Sequence, residues 1–194
     1  MNTILREELL GMQAEDLRVR EELAREGVLG EGYEPRMEAV HRRNAARLEA
    51  IVNEHGWPGR TQAGDDGAEA AWRTLQHAIG RPDLIRLYLP LLQQAAQAGE
   101  IPAWQPAYLL DRIRFFEGKP QVYGTQYDWD EEGFTKLWPV EDPEQVNEKR
   151  KSVGLPPLAE ARARSRLGKP VPPEQLRARR QAMDDWARSV GWRA

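Results

Sequence analysis

The sequence has 194 residues, 30 % of them charged and 40 % hydrophobic, with seven Trp, no Cys and a formal net charge of -3. That length suits one domain with a modest core, and the lack of cysteine excludes disulfides, thiolate nucleophiles and cysteine zinc sites. No apolar run approaches the roughly 18–20 residues of a membrane span, the acidic balance disfavours a nucleic-acid partner, and the charged start MNTILREELLGMQAEDLR lacks the apolar core of a secretory leader, so a cytoplasmic location is expected.

Residues 2–26 carry Ile4, Leu5, Leu9, Met12, Leu17 and Leu23 at spacings of three to five between charges, which predicts a helix. GVLGEGYEP interrupts it. Pro35 opens a second helix that runs to about Glu54, with Met37, Val40, Leu48, Ile51 and Val52 apolar. His41, among Arg42, Arg43 and Asn44, reads as a surface residue of that helix. Gly56 supplies its cap and Pro58 prevents it from resuming. GRTQAGDDG reads as a polar loop. AEAAWRTLQHAI is a third helix, striped by Ala68, Trp72, Leu75 and Ile79. After GRPDL a fourth helix carries Leu84, Ile85, Tyr88, Leu91, Leu92 and Ala95, with a kink or break expected at Pro90. QPAYLLDRIRFFEG is the fifth, striped by Leu109, Ile113 and Phe116. Then the period changes: QVYGTQY and FTKLWPV, joined by DWDEEG, predict a short hairpin. EDPEQVNEKRKSVG follows as a helix with Asp142 as N-cap and Pro143 in its first turn. LPPL closes the body, and one or two Arg-rich helices flank the stiff linker GKPVPP. The expected architecture is mainly α: a single helical domain over 1–158 with a small β-hairpin, and a separable helical C-terminal extension over 159–194.

Two histidines occupy informative positions. His55 ends the second helix, where the helix dipole favours an imidazolium by about 0.3–1 kcal/mol, and Trp57 and Pro58 form a stiff wall beside it. His77 lies about 140° around its helix from Trp72 at roughly 100° per residue. It therefore leaves the apolar stripe and sits beside Ala70, Arg73 and Thr74. Facing one pocket, His55 would be the acid and His77 the base of a proton-transfer pair. Tyr108, Asp111 and Arg112 fall at i, i+3 and i+4 and share a face. Arg112 suits a carboxylate or phosphate, and Asp111 and Arg112 equally suit ion pairs that tie helices together. Gly124 marks a close approach within its segment, flanked by the hydrogen-bonding groups of Tyr123, Thr125 and Gln126. Trp57, Gln76, Tyr108, Asp111, Arg112, Tyr123, Thr125 and Gln126 are thus candidate substrate-binding residues. No HxxxH or HxxE pair is present, so a metal is not expected, and no phosphate loop or nucleotide fingerprint appears, so no other cofactor is expected either. Two histidines with a carboxylate from Glu54, Asp65, Asp66 or Asp111 remain a metal-dependent alternative.

The stretches HGWP, AAW with QHA, YLLDR, GKPQVYGTQY and WPVEDPEQVNEKRKSVGLPPL, in that order, resemble a bacterial family catalogued only as a domain of unknown function, over about residues 5–158. The resemblance implies that His55, Trp57, Pro58, Trp72, Gln76, His77, Tyr108, Asp111, Arg112, Tyr123, Gly124, Thr125 and Gln126 are signature positions. It supplies no activity. QHAI departs from the QHAD of the pattern and so lacks a carboxylate at Ile79. The leading expectation is an enzyme acting on a small polar or anionic molecule by metal-independent histidine acid/base chemistry. Its rival is a non-catalytic protein-interaction module anchored by Trp57, Trp104, Trp129 and Trp138 and by the basic tail; the third reading is the metal-dependent enzyme.

Overall fold

The computed structural model describes residues 1–28, 33–163 and 170–194. The chain is mainly α, with a two-stranded antiparallel hairpin and a C-terminal helix, and it divides into two compact units, Met1–Gln105 and Pro106–Ala194.

The first unit holds α1 (Thr3–Glu26), α2 (Pro35–His55), α3 (Arg60–His77) and α4 (Pro82–Gln97). Asn2 caps α1 by accepting from the Leu5 amide at 3.1 Å. The buried face of α1 is Leu5, Leu9, Met12, Asp16, Val19 and Leu23, in steps of four and three that keep one side of a helix. Ile4 and Leu17 fall off that stripe and are exposed, contrary to the apolar pattern taken at face value. Pro35 occupies the first turn of α2, as expected, and the Glu34 carboxylate accepts from the Met37 amide. Met37, Val40, Asn44, Leu48 and Ile51 are among the residues α2 buries.

GRTQAGDDG is not a loop. The helix begins at Arg60, where the Glu100 carboxylate accepts from the Thr61 amide and hydroxyl, and it bends at Gly64, whose φ of 74° is open to glycine. α1 packs along α3, and both meet α2. A Cβ on Gly67 would sit 3.0 Å from Ala63 Cβ and 3.3 Å from Arg6 Cγ, so the small residues of α3 are what let α1 approach. Pro90 lies inside α4 on its exposed side without ending it.

The second unit takes up all but the first two residues of α5 (Trp104–Phe116), then β1 (Tyr127–Trp129), β2 (Thr135–Leu137), α6 (Val146–Ser152), α7 (Leu158–Ala163) and α8 (Pro173–Ser189). The hairpin pairs Tyr127 with Leu137, Asp128 with Lys136 and Trp129 with Thr135. Of QVYGTQY only Tyr127 is in a strand; residues 122–126 turn about the buried Gln121, whose Nε2 donates to the carbonyls of Gln126 and Trp138 and whose Oε1 accepts from the Gln126 amide. Asp142 caps a turn that precedes α6, accepting from the Gln145 amide at 3.3 Å.

In α8 and beyond, Leu176, Ala187 and Trp192 are buried. Trp192 stacks on Phe116 at 5.1 Å, and Trp186 meets the same ring edge-on at 5.8 Å. Residues of the expected extension thus supply apolar surface to the second unit. Four residues of the GVLGEGYEP interruption (29–32), and Gly168 and Lys169 of GKPVPP, lie outside the described residues.

Candidate functional site

Asp16 stands on the buried stripe of α1, at a position where the pattern wants an apolar residue. Two histidines meet it. His77, the last residue of α3, places Nδ1 2.7 Å from Asp16 Oδ2. His41, on α2, places Nε2 3.1 Å from the same oxygen. The two imidazole centroids are 5.1 Å apart, and one ligand atom from each of the three residues lies within 4.8 Å of the others. The side chains of Asp16 and His41 are only 8 % and 11 % exposed, whereas His77 is 32 % exposed and forms the solvent side of the group. Tyr33 Oη lies 2.6 Å from His41 Nδ1 and fixes that ring from behind. Burial alone would raise the Asp16 carboxyl. The hydrogen bonds and charges of His41 and His77 outweigh it and hold the group well below the usual carboxylate range.

His41 is therefore not a surface residue. It follows Met37 by one turn and precedes Leu48 by two, which keeps it on the buried side of α2, while Arg42 and Arg43 point to solvent. Its neighbour on that face, Asn44, donates from Nδ2 to the Met12 carbonyl at 3.1 Å and ties α2 to α1 beside the cluster.

The expected pairing of His55 with His77 does not form. His55 lies on α2 fourteen positions after His41, about 21 Å along the axis at roughly 1.5 Å per residue. Since the rings of His41 and His77 nearly touch, His55 is too distant from His77 to share a small substrate. Its side chain is exposed, with Nε2 3.5 Å from Glu54. Trp57 is half-buried, edge-on to Tyr88 at 6.4 Å, and Gln76 is buried within α3.

In the second unit Asp111, Tyr123, Thr125 and Gln126 do come together, around a turn. Asp111 is fully buried and accepts from the amides of Val122 (2.7 Å), Tyr123 (3.1 Å) and Thr125 (3.1 Å) and from the Thr125 hydroxyl (3.0 Å). Gln126 Nε2 donates to Thr125 Oγ1. From the other side Arg150, also buried, donates to the carbonyls of Tyr123, Gly124 and Pro156. The turn is clamped by a carboxylate on its N–H groups and a guanidinium on its C=O groups. Gly124 sits at φ 70°, where a Cβ would come within 2.8 Å of Leu158 Cδ1. Burial pushes the Asp111 carboxyl up, against the pull of the amides it accepts from. Burial, then the Asp111 charge, pushes the Tyr123 hydroxyl up. These contacts occupy Asp111 and much of Thr125 in holding the turn. Tyr108 and Arg112 are half-buried on α5.

Asp16 and His41 are the residues that reading the sequence missed. A carboxylate in the register 5, 9, 12, 16, 19, 23 was the available signal, because a lone acid on an apolar stripe needs a partner to be buried.

A mainly α architecture with two imidazoles gathered on a buried carboxylate defines the chain at the level of fold and site. By sequence it belongs to a family of unknown function (DUF6624), whose model matches residues 3–166 and so runs from α1 through α7. No curated protein and no solved structure matches the chain.

Proposed function

We propose that the chain is an enzyme acting on a small polar or anionic molecule with the help of a divalent metal ion held by Asp16, His41 and His77. The observation that carries the reading is the shared carboxylate oxygen, with ring nitrogens 2.7 and 3.1 Å from it. Metal–ligand bonds of about 2.0–2.2 Å set neighbouring donor atoms roughly 3.0–3.5 Å apart; here two pairs stand at 2.7 and 3.1 Å and all three atoms lie within 4.8 Å, so small side-chain shifts would admit an ion. The expectation of no metal rested on the lack of ligands one helix turn apart; in this reading three helices would supply them instead. In a metal-bound form His41 Nδ1–H would donate to Tyr33 Oη, leaving the Nε2 lone pair for the ion in place of its present contact with Asp16. Such outer hydrogen bonds fix the ring of a ligating histidine.

Two imidazoles and one carboxylate suit zinc or ferrous iron and leave coordination positions open. The ion would supply Lewis-acid chemistry. The chain's own residues hold and orient: Asp16 neutralises charge, Tyr33 sets the His41 ring, and the exposed edge of His77 marks the side from which a substrate arrives.

Cobalt(II) added to metal-stripped protein should give visible absorption bands that are absent in His41→Ala. A panel of small esters, amides and phosphate esters should show turnover that depends on added zinc, iron or manganese and is lost in His77→Ala. Turnover that is equal in stripped and loaded protein, with no cobalt bands, would sink the metal reading. It would favour a second one, supported by the 2.7 Å His77–Asp16 contact: a metal-free dyad in which the carboxylate orients an imidazole base. In that case Asp16→Asn abolishes activity without any metal dependence.

A further inference from the structure

The hairpin and α8 enclose a cavity of about 470 Å³ within the second unit, made of residues that play no part in the cluster on Asp16. Its walls are unusual in two ways. They are aromatic, with Phe115, Trp129 and Trp138, and Trp138 meets Phe115 edge-on at 5.0 Å. They are also cationic: Lys136, Arg179, Arg180 and Arg193 stand against Asp128 and Asp184.

Two of these cations are committed. Arg180 donates to the Trp129 carbonyl at 2.6 Å, and Arg193 pairs with Asp184 and donates to the Phe116 carbonyl. Arg179 is different. Its guanidinium lies 3.9 Å over the Trp129 ring and is half-buried, yet among the described residues it makes no hydrogen bond or ion pair. Burial lowers its hold on its proton, with only the more distant charge of Asp128 acting the other way. A stacked indole offsets part of the cost of burying such a cation, but it engages none of the five N–H donors. A guanidinium fork of this kind can take two oxygens of a carboxylate or phosphate.

We propose that this cavity binds a small planar molecule carrying a carboxylate or phosphate, its anionic group on Arg179 and its ring among Trp129, Trp138 and Phe115. The volume falls within the roughly 300–1,000 Å³ of small-ligand sites and suits one ring system with an anionic arm. The surplus of cations in the wall selects for charge, and the indoles select for a flat apolar body. The site stands whether or not the cluster on Asp16 holds a metal.

Calorimetric titration of the full chain tests this with two anions, indole-3-acetate and adenosine 5′-monophosphate, their neutral counterparts indole-3-ethanol and adenosine, and inorganic phosphate. At least one anion should bind saturably with single-site stoichiometry, about tenfold or more tighter than its neutral counterpart, and Arg179→Met should weaken it by about tenfold or more. Arg179→Lys, which keeps the charge but loses the planar fork, should fall between. Should Arg179→Met fail to fold, amide shifts of the wild type on titration decide: they should map to 127–138 and 176–193. The proposal is overturned by no saturable binding of either anion, by neutral counterparts binding equally well, by an unchanged Arg179→Met, or by amide shifts elsewhere. Inorganic phosphate binding as tightly as the nucleotide would also overturn it, since the rings would then contribute nothing.

Discussion

Replacing Asp111 by Asn keeps the shape of the side chain and removes part of its acceptor capacity. In the wild type one carboxylate oxygen accepts from the amides of Val122 and Tyr123, and the other from Tyr123, from the Thr125 amide and from the Thr125 hydroxyl. Asn keeps an oxygen at the first position and sets an NH₂ donor at the second, against the Thr125 amide in a fully buried place. The Thr125 hydroxyl can rotate and accept, so it drops out of the loss. One buried amide left without an acceptor costs about 1–3 kcal/mol. Two bonds that change from charge-assisted to neutral add roughly 0.5–1 kcal/mol each. No longer burying a charge recovers part of this, leaving an expected destabilisation of about 2–4 kcal/mol at neutral pH. Urea unfolding followed by circular dichroism measures it, with equal slopes confirming that the native state is otherwise unchanged. A loss below about 1 kcal/mol would refute the role of Asp111 as the clamp on the turn. The pH dependence carries a further sign. The folded carboxyl is raised by burial, with the amides from Tyr123, Val122 and Thr125 opposing. Its contribution is thus fully present below the unfolded value of about 3.9 and is lost as pH rises through the folded value. Asn does not titrate, so the gap between wild type and variant should narrow from acid toward neutral pH; a widening gap contradicts the burial argument.

Trp192→Ala should cost the second unit about 3–5 kcal/mol, because a buried ring stacked on Phe116 is lost, and the urea midpoint reports it. For the same reason a chain ending at Leu158 should lose its cooperative transition and bind a hydrophobic dye; retained cooperativity would show that the unit is complete without α8. Tyr33→Phe removes the hydroxyl on His41 Nδ1 and should weaken zinc binding by about 10–100-fold in a competition titration, whereas unchanged affinity would mean the ring is oriented by other contacts. For Asp16, burial opposes ionisation, but the bonds and charges of His41 and His77 depress the folded value. The stabilisation is therefore present above about pH 3.9 and lost as pH falls through the lower folded value. In metal-stripped protein the stability difference between wild type and Asp16→Asn should shrink on acidification below about pH 4; a difference flat with pH would remove Asp16 from the ion-pair network.

Periodicity made most helices legible, since steps of three and four along α1, α2 and α4 mark a single buried face. The misreadings have definite causes. Gly64 and the paired Asp65 and Asp66 look like loop chemistry, but one glycine at positive φ absorbs the bend and the helix continues on either side. In QVYGTQY the β-branched and aromatic residues suggest a strand, yet a buried acid eleven positions upstream draws three amides into a turn. No local pattern announces that pull. His77 stood out in the sequence because it leaves its stripe, and in the structure it contacts Asp16 and His41. Its partners did not stand out, because the cluster is assembled from positions 16, 41 and 77, and pairing across helices depends on packing that the sequence encodes only through the whole core. His55 drew attention for its helix end and the motif behind it, and that end lies some four turns of α2 from the cluster, about 21 Å.

The most direct measurement is metal stoichiometry. The full chain, purified without chelator and without a histidine tag, would be subjected to elemental analysis beside His41→Ala and His77→Ala, each first shown to unfold cooperatively. About one equivalent of zinc or iron is expected in the wild type, or taken up on titration of stripped protein, with at most about a tenth of that in either variant. A wild type that neither carries nor takes up stoichiometric metal, or variants that hold as much as the wild type does, would contradict a metal held by Asp16, His41 and His77.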